Sequence, residues 1–143
     1  MIDPVELCRT LHGHVGLLAA VALAHPALTL RDTPGLRRGT RWSVALATAL
    51  VTVTVVAGWA LYGGYRRHDK PAILQEAPAV AALFETKEHL AWYALALSWA
   101  GLGLVFWARR PRPARLCFAM AAALALAVGI LGSVVGSFTA SPG

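Results

Sequence analysis

The chain has 143 residues, of which 57% are hydrophobic and only 14% are charged, so it is long enough for one domain but too apolar for an ordinary soluble one. Its formal charge of +6 could indicate nucleic-acid binding. The basic residues, however, stand in short groups between long uncharged runs. That is the pattern of loops in a membrane protein, so we expect no nucleic-acid partner and a lipid bilayer instead.

Four uncharged stretches, at about 10–30, 42–65, 90–108 and 116–138, predict four membrane-spanning helices, and the third helix is expected to begin earlier, so that its span is about 84–108. Each has the roughly 20 residues that a helix needs to cross a bilayer. Pro26 is expected to kink or end the first helix. Segment 71–84 could lie flat at the membrane surface, although its apolar part at 79–84 could instead begin the third helix. The predicted fold is all-α: an integral membrane four-helix bundle in which residues 1–143 form one domain.

The distribution of basic residues predicts the orientation of these helices. Five of the thirteen lie on the side of the termini and the middle loop, together with six of the seven acidic residues. The other eight lie in the first and third loops: Arg31, Arg37, Arg38, Arg41, Arg109, Arg110, Arg112 and Arg115. We therefore expect a multi-pass protein of the bacterial inner (cytoplasmic) membrane, with both termini on the outer, periplasmic side.

Histidines are the notable polar residues of these stretches. Under the predicted topology four of the five gather near the outer face, from three helices, and His25 alone lies near the inner face. An imidazole in lipid is costly, so it is usually buried at a helix contact or used for chemistry. Neutral imidazole is also a common ligand of haem iron and of other metals. The four at the outer face are His12, His14, His68 and His89.

One haem b between His14 and His89 is the predicted cofactor site. Their depths agree, because His14 lies about one turn into the first helix and His89 opens the third. His12 is about 200° around the helix from His14, so only one of the two can point squarely inward. His14 is preferred because it is deeper, with His12 and His68 as substitutes.

Neighbouring residues suit such a site. Gly13 and Gly16 flank His14 and would let a flat macrocycle approach the backbone. Arg9, Arg66 and Arg67 lie at the same face, where arginines could pair with the haem propionates. Interfacial histidines that only bond lipid headgroups or backbone are the alternative interpretation of the same pattern.

Two further observations bear on function. Glu85 and His89 are four residues apart on one helical face, with Glu88 and His68 nearby, so they could bind zinc, iron or copper. The same pattern also occurs at an ordinary charged helix start.

His25 has no histidine partner at its depth, and it either terminates its helix or lines a quinone or proton path. No catalytic motif is found, which favours an electron-transfer subunit over a stand-alone enzyme.

Three short motifs resemble those of small four-helix b-type membrane cytochromes and of an uncharacterised family of predicted four-helix membrane proteins: His12-Gly13-His14, Gly58-Trp59 and Glu88-His89-Leu90-Ala91-Trp92. For the cytochromes the resemblance implies haem b, axial ligation by His14 and His89, and electron exchange between the quinone pool and a periplasmic or complex-bound carrier. The implied partners are subunits of a respiratory complex. A cofactor-free structural subunit of a larger membrane complex, and a copper- or zinc-binding membrane protein, stay open as alternatives.

Overall fold

The computed structural model describes residues 4–30, 38–68 and 70–139, and nearly all of them are helical. Five helices follow one another: α1 (Pro4–Thr29), α2 (Arg38–His68), α3 (Lys70–Glu76), α4 (Pro78–Phe106) and α5 (Pro111–Thr139). All but α3 contain a segment that is long and apolar enough to cross a membrane: Leu7–Thr29, Arg38–Arg67, Pro78–Phe106 and Pro111–Ser137. The prediction of an all-α chain with four helices long and apolar enough to span a membrane is therefore confirmed for the described residues.

The segment between the second and third spans is divided between two helices. α3 takes its first part, Ala77 interrupts the helical backbone, and α4 begins at Pro78. Proline suits a first helical turn, because its φ is already helical and no hydrogen bond needs its missing N–H there. The third span therefore starts before residue 84, and segment 71–84 is not one flat helix.

Pro26 does not end α1. The helix continues to Thr29, and the N–H of Leu30 donates to the Pro26 carbonyl at 3.0 Å. Pro26 itself is buried. A proline inside a helix removes one backbone hydrogen bond. The helical turn after Pro26 nevertheless forms, and α1 continues through it to Thr29.

The four long helices form a ring in the order α1, α2, α4, α5. α1 packs against α2 and α5, and α4 packs against the same two neighbours, so α1 and α4 face each other across the bundle. α3 lies against α2 and α4. We call the end where α2 and α5 begin the arginine end, and the opposite end, which carries His12, Gly58 and His89, the histidine end.

The core consists of small and medium-sized side chains, among which Leu23, Val44, Val105 and Phe118 are fully buried. Phe118 of α5 packs directly on Gly101 of α4, where a Cβ atom would lie 2.7 Å from its Cε2. Only glycine allows this approach, since real Cβ atoms do not come so near to another carbon. Small residues at helix contacts are typical of membrane bundles.

Hydroxyl groups in the core are satisfied by backbone. Thr48 Oγ1 donates to the Val44 carbonyl at 3.0 Å, and Ser98 Oγ donates to the Leu95 carbonyl at 2.8 Å. Both residues are buried at the contact of α2 with α4. Their polar atoms therefore have the partners that a buried group requires.

Candidate functional site

His12 is the histidine that α1 turns toward the interior. Its half-buried ring packs against Gly58 of α2, where a Cβ atom would lie 2.8 Å from Cε1 and 3.3 Å from Nε2 of the imidazole. Ala19 and Leu23, which are buried in the core, continue the same face of α1 at helical spacing. Gly58 thus provides the room that the His12 ring occupies.

One ring nitrogen of His12 lacks a partner among the described residues. Nδ1 is buried and makes no hydrogen bond to any residue in the described part of the chain. The backbone carbonyl of Thr54 lies beside the ring. A carbonyl can only accept a hydrogen bond, so the ring nitrogen that faces it must carry the hydrogen. Because Nδ1 makes no bond, we assign the hydrogen to Nε2 and the lone pair to Nδ1. A buried nitrogen in this state is uncommon and requires an explanation.

Lys87 and Glu88 reach His12 from α4, across the bundle. Both lie close enough for their charges to act on the His12 ring. Lys87 Nζ is 3.6 Å from Glu88 Oε1, and the two side chains are only 16% and 27% exposed. The stem of Lys87 passes Gly132 of α5, where a Cβ atom would lie 3.7 Å from its Cδ. We call His12, Lys87 and Glu88 the polar cluster; all four long helices meet at its level.

Aromatic rings support Lys87. Its ammonium lies 4.3 Å from the centroid of the Phe84 ring, within the range of a cation–π interaction. Phe84 in turn stacks on Tyr65 of α2, with centroids 3.7 Å apart and planes 15° apart. Tyr62 lies beside both rings. Lys87 is therefore held both by the Glu88 carboxylate and by a stack that joins α2 to α4.

His14 and His89 share one arrangement, which differs from that of His12. Both rings are exposed. Nδ1 of His14 donates to the Thr10 carbonyl at 2.8 Å, and Nδ1 of His89 donates to the Glu85 carbonyl at 2.7 Å. Each bond runs to the residue four positions earlier on the same helix. It leaves Nε2 of each ring free to bind a ligand.

The structure does not bring these two histidines together within one chain. Two positions along a helix correspond to about 200° of rotation. His14 is two positions from the inward His12, and His89 is two positions from the inward Lys87, so both rings point away from the interior. They also lie on α1 and α4, which are opposite each other in the ring. The expected orientation, with His14 turned inward, is wrong: His12 is the inward ring.

A haem b held by His14 and His89 of one chain does not fit this arrangement. Two axial imidazoles must face each other across the macrocycle, whereas these rings lie on opposite outer faces. The inward ring, His12, lies within electrostatic range of Lys87 and Glu88 of α4, whereas His89 of the same helix is exposed. Whether the protein binds haem b at all is not tested by this arrangement, and haem binding stays a prediction.

The other predicted site residues lie at the end of α2. Arg66 is exposed, and Arg67 Nε donates to the Gly63 carbonyl of its own helix at 3.0 Å. His68 is the last residue of α2, and its side chain lies outside the described part of the structure. The predicted roles of these three residues beside a haem stay predictions.

His25 connects two helices at the arginine end. Its Nδ1 is 2.6 Å from Oγ of Ser43, so the ring joins α1 to α2. It does not terminate α1, which continues to Thr29. A hydrogen bond between helices is a common role for a polar side chain in a membrane bundle.

The Glu85 and His89 pair does not form a metal site in the described helices. The Glu85 carboxylate accepts a hydrogen bond from Lys70 of α3. Nowhere in residues 4–30, 38–68 and 70–139 do three histidine, cysteine or acidic side chains converge in a way that could hold a metal ion.

Sequence reasoning missed Lys87 and the contact of His12 with Gly58. A usable signal was present: Lys87 lies at helical spacing from the buried Ala94, Ser98 and Gly101 on the inward face of α4. A lysine on the face that carries small residues indicates a charge that enters the bundle.

The three motifs noted in the sequence meet at the polar cluster, through His12, Gly58 and Glu88. No family model, no curated protein and no solved structure matches this chain. The function is therefore inferred from the chemistry of the site.

Proposed function

We propose that this protein is a proton-transfer subunit of a larger complex in the bacterial cytoplasmic membrane, with both termini outside and the polar cluster as its proton-accepting site. One observation carries the proposal: the buried Nδ1 of His12, which has no partner among the described residues, lies near the charges of Lys87 and Glu88. Ionisable residues inside a membrane bundle are costly, and they commonly mark proton or ion pathways.

The chemistry of the cluster suits this role. Imidazole gains and loses a proton near neutral pH, which the other side chains of the cluster do not do without a large perturbation. Nδ1 carries the lone pair that accepts the proton. Glu88 stabilises the protonated, positively charged ring, and Lys87 destabilises it. The two charges together therefore affect how readily His12 binds a proton.

The test is the titration of His12 in the full-length protein, reconstituted in lipid nanodiscs and followed by NMR of labelled histidine. We expect the His12 signal to shift with pH as the ring gains and loses a proton. Lys87→Gln and Glu88→Gln should move its midpoint in opposite directions, because the two charges act on the ring with opposite signs. His14→Gln, which alters an exposed ring two positions away, is the matched control and should leave the midpoint unchanged. A His12 ring that does not titrate, or that ignores both charge substitutions, contradicts the proposal.

A second candidate is the electron-transfer subunit with haem b, quinone and a periplasmic or complex-bound carrier as its redox partners. The free Nε2 atoms of His14 and His89 favour it, since the Nδ1 bonds to backbone fix each ring in the tautomer that binds a metal. Because these rings face outward, the second ligand would come from a neighbouring subunit.

Absorbance of the protein purified with its partners separates the two candidates. Haem b would give a reduced Soret band and an α-band that are lost in His14→Ala or His89→Ala and kept in His12→Gln. A colourless preparation in which His12 titrates supports the first candidate. A colourless preparation in which it does not titrate leaves a cofactor-free structural subunit, and stoichiometric copper or zinc in it would indicate the metal-binding alternative.

A further inference from the structure

We propose that a cleft at the arginine end, between α2 and α4, binds an anionic phospholipid. The cleft has a volume of about 350 Å³ and is lined by Arg38, Arg41, Trp42, Ala45 and Phe106. It lies far along the bundle from the polar cluster and is independent of the function proposed for it.

The polar side of the cleft offers cations that have no acidic partner among the described residues. Arg38 is the first residue of α2 and is exposed, so its guanidinium adds to the positive end of the helix dipole. Arg41, one turn later, is half-buried, and its Nε makes no hydrogen bond to the described residues. The described part of the arginine end contains six arginines and no acidic residue. An anion is the ligand that matches this charge.

The other walls of the cleft are apolar and distinguish a lipid from a free anion. The guanidinium carbon of Arg41 lies 5.9 Å from the centroid of the Phe106 ring, so the charged and apolar parts of the cleft are adjacent. Trp42 is 67% exposed and Phe106 is 41% exposed, on the side that would face the bilayer. A free phosphate would use only the arginines, whereas a phospholipid places its phosphate on them and an acyl chain along Trp42, Ala45 and Phe106.

The position of the cleft along the helices agrees with a lipid headgroup. Arg38 begins one apolar span and Phe106 ends another, so the cleft lies where hydrocarbon meets the polar surface of the bilayer. Basic pockets between transmembrane helices at this level bind anionic headgroups in other membrane proteins.

Native mass spectrometry of the full-length protein, released from nanodiscs of equimolar phosphatidylglycerol and phosphatidylcholine, tests the proposal. We expect the protein to retain phosphatidylglycerol in preference to phosphatidylcholine. Arg38→Gln and Arg41→Gln should each lower that preference about fivefold. Arg112→Gln removes an exposed arginine of the same end outside the cleft, and it should leave the preference unchanged.

Two further experiments test whether the lipid occupies this cleft and whether the ligand is a lipid rather than a free anion. Ala45→Phe fills the cleft while keeping both arginines, and it should release the lipid even though the net charge is unchanged. Retention that survives Ala45→Phe, or a wild-type protein that retains both lipids equally, overturns the proposal. Inorganic phosphate and glycerol phosphate should not displace the lipid; displacement by either would show a site for free anions instead.

Discussion

The histidines differ in what their Nδ1 atoms contact. In His14 and His89 this nitrogen is bonded to the backbone of the same helix, and in His25 it is bonded to Ser43 of the neighbouring helix. His12 lacks such a bond in the described structure, and its ring is pressed between helices. These three Nδ1 atoms have partners within the helices, so His12 is the one among the described histidines whose Nδ1 still requires an explanation.

Gly58 is the residue on which the position of the His12 ring depends. We expect Gly58→Ala to displace the ring and to lower the unfolding free energy by about 1–3 kcal/mol, the usual effect of an inserted methyl group in a packed site. A Cβ atom at Gly58 would otherwise lie 2.8 Å from the ring. Thermal unfolding followed by circular dichroism, together with the NMR signal of His12, measures both effects.

Gly64→Ala is the control on the same helix. No atom lies within 4 Å of a Cβ built there, so alanine, the better helix former, should be neutral or mildly stabilising. If the two alanine variants unfolded at the same temperature, with an unchanged His12 signal, the ring would not depend on Gly58.

The depth of the histidines could be predicted from the sequence, but the direction of each ring could not. Depth follows from counting residues along an apolar stretch. Direction requires a distinct polar face, and α1 is apolar nearly all round, so its pattern does not say which side is inward. The choice between His12 and His14 was therefore decided by packing against Gly58, a contact with a helix more than forty positions further along the chain.

At the scale of helices, the contact of α4 with α5 is the most extensive. We expect Gly101→Ala to destabilise the bundle by about 1–3 kcal/mol, because its Cβ would lie 2.7 Å from the fully buried Phe118 ring, which has no free space to enter. The measurement is the midpoint of denaturant unfolding of the reconstituted protein. Gly103→Ala, one half-turn later on α4, should change it little, since its Cβ would be at ordinary contact distance, 3.4 Å, from the exposed Trp107 ring. Equal effects of the two substitutions would contradict a tight helix contact at Gly101.

α3 is attached to the bundle by a contact that can be removed by itself. Lys70 donates a hydrogen bond to the Glu85 carboxylate of α4, which raises the pKa of Lys70. Lys70→Gln should therefore speed amide hydrogen exchange in α3 without changing the global unfolding temperature. Glu76→Gln, a neutralisation elsewhere on α3, should leave exchange as it is.

The sign of the pH dependence follows from the raised pKa of Lys70. The contact is complete at neutral pH, where Glu85 is ionised and Lys70 is protonated, and it is lost as the pH rises through the raised value. Protection of α3, corrected for intrinsic exchange, should thus persist from neutral to alkaline pH and then fall. The same fall in Lys70→Gln would show that another group is responsible.

The existence of four spans could be predicted from the sequence because an uncharged run of about 20 residues has few other structural solutions. Helix ends were harder to predict. α2 and α4 continue past their apolar runs, through Arg66 and Arg67 in one case and through Glu85, Lys87 and Glu88 in the other. Arg67, Glu85 and Lys87 have favourable contacts that a hydropathy profile does not register. Their partners are Gly63, Lys70 and Phe84, respectively.

At the scale of the whole molecule, the two ends of the bundle have different electrostatic character. The arginine end has cations alone among its described residues, whereas the histidine end has both signs, paired within the polar cluster and between Lys70 and Glu85. The ring order that places α1 opposite α4 produces the polar cluster, and nothing in the sequence predicted that order. No periodicity specifies which of four apolar helices are neighbours.

The charge difference between the ends leads to a prediction about orientation. Alkaline phosphatase fused after Gly143 should be active in cells, and a fluorescent protein fused there should be dark, because both termini are expected outside. Replacing Arg109, Arg110 and Arg112 with glutamine leaves five basic residues on each side and removes the bias. Cells carrying that variant should then show both signals, from a mixture of orientations. A wild-type fusion that fluoresces, or a variant whose orientation is as uniform as that of the wild type, would show that these arginines do not orient the chain.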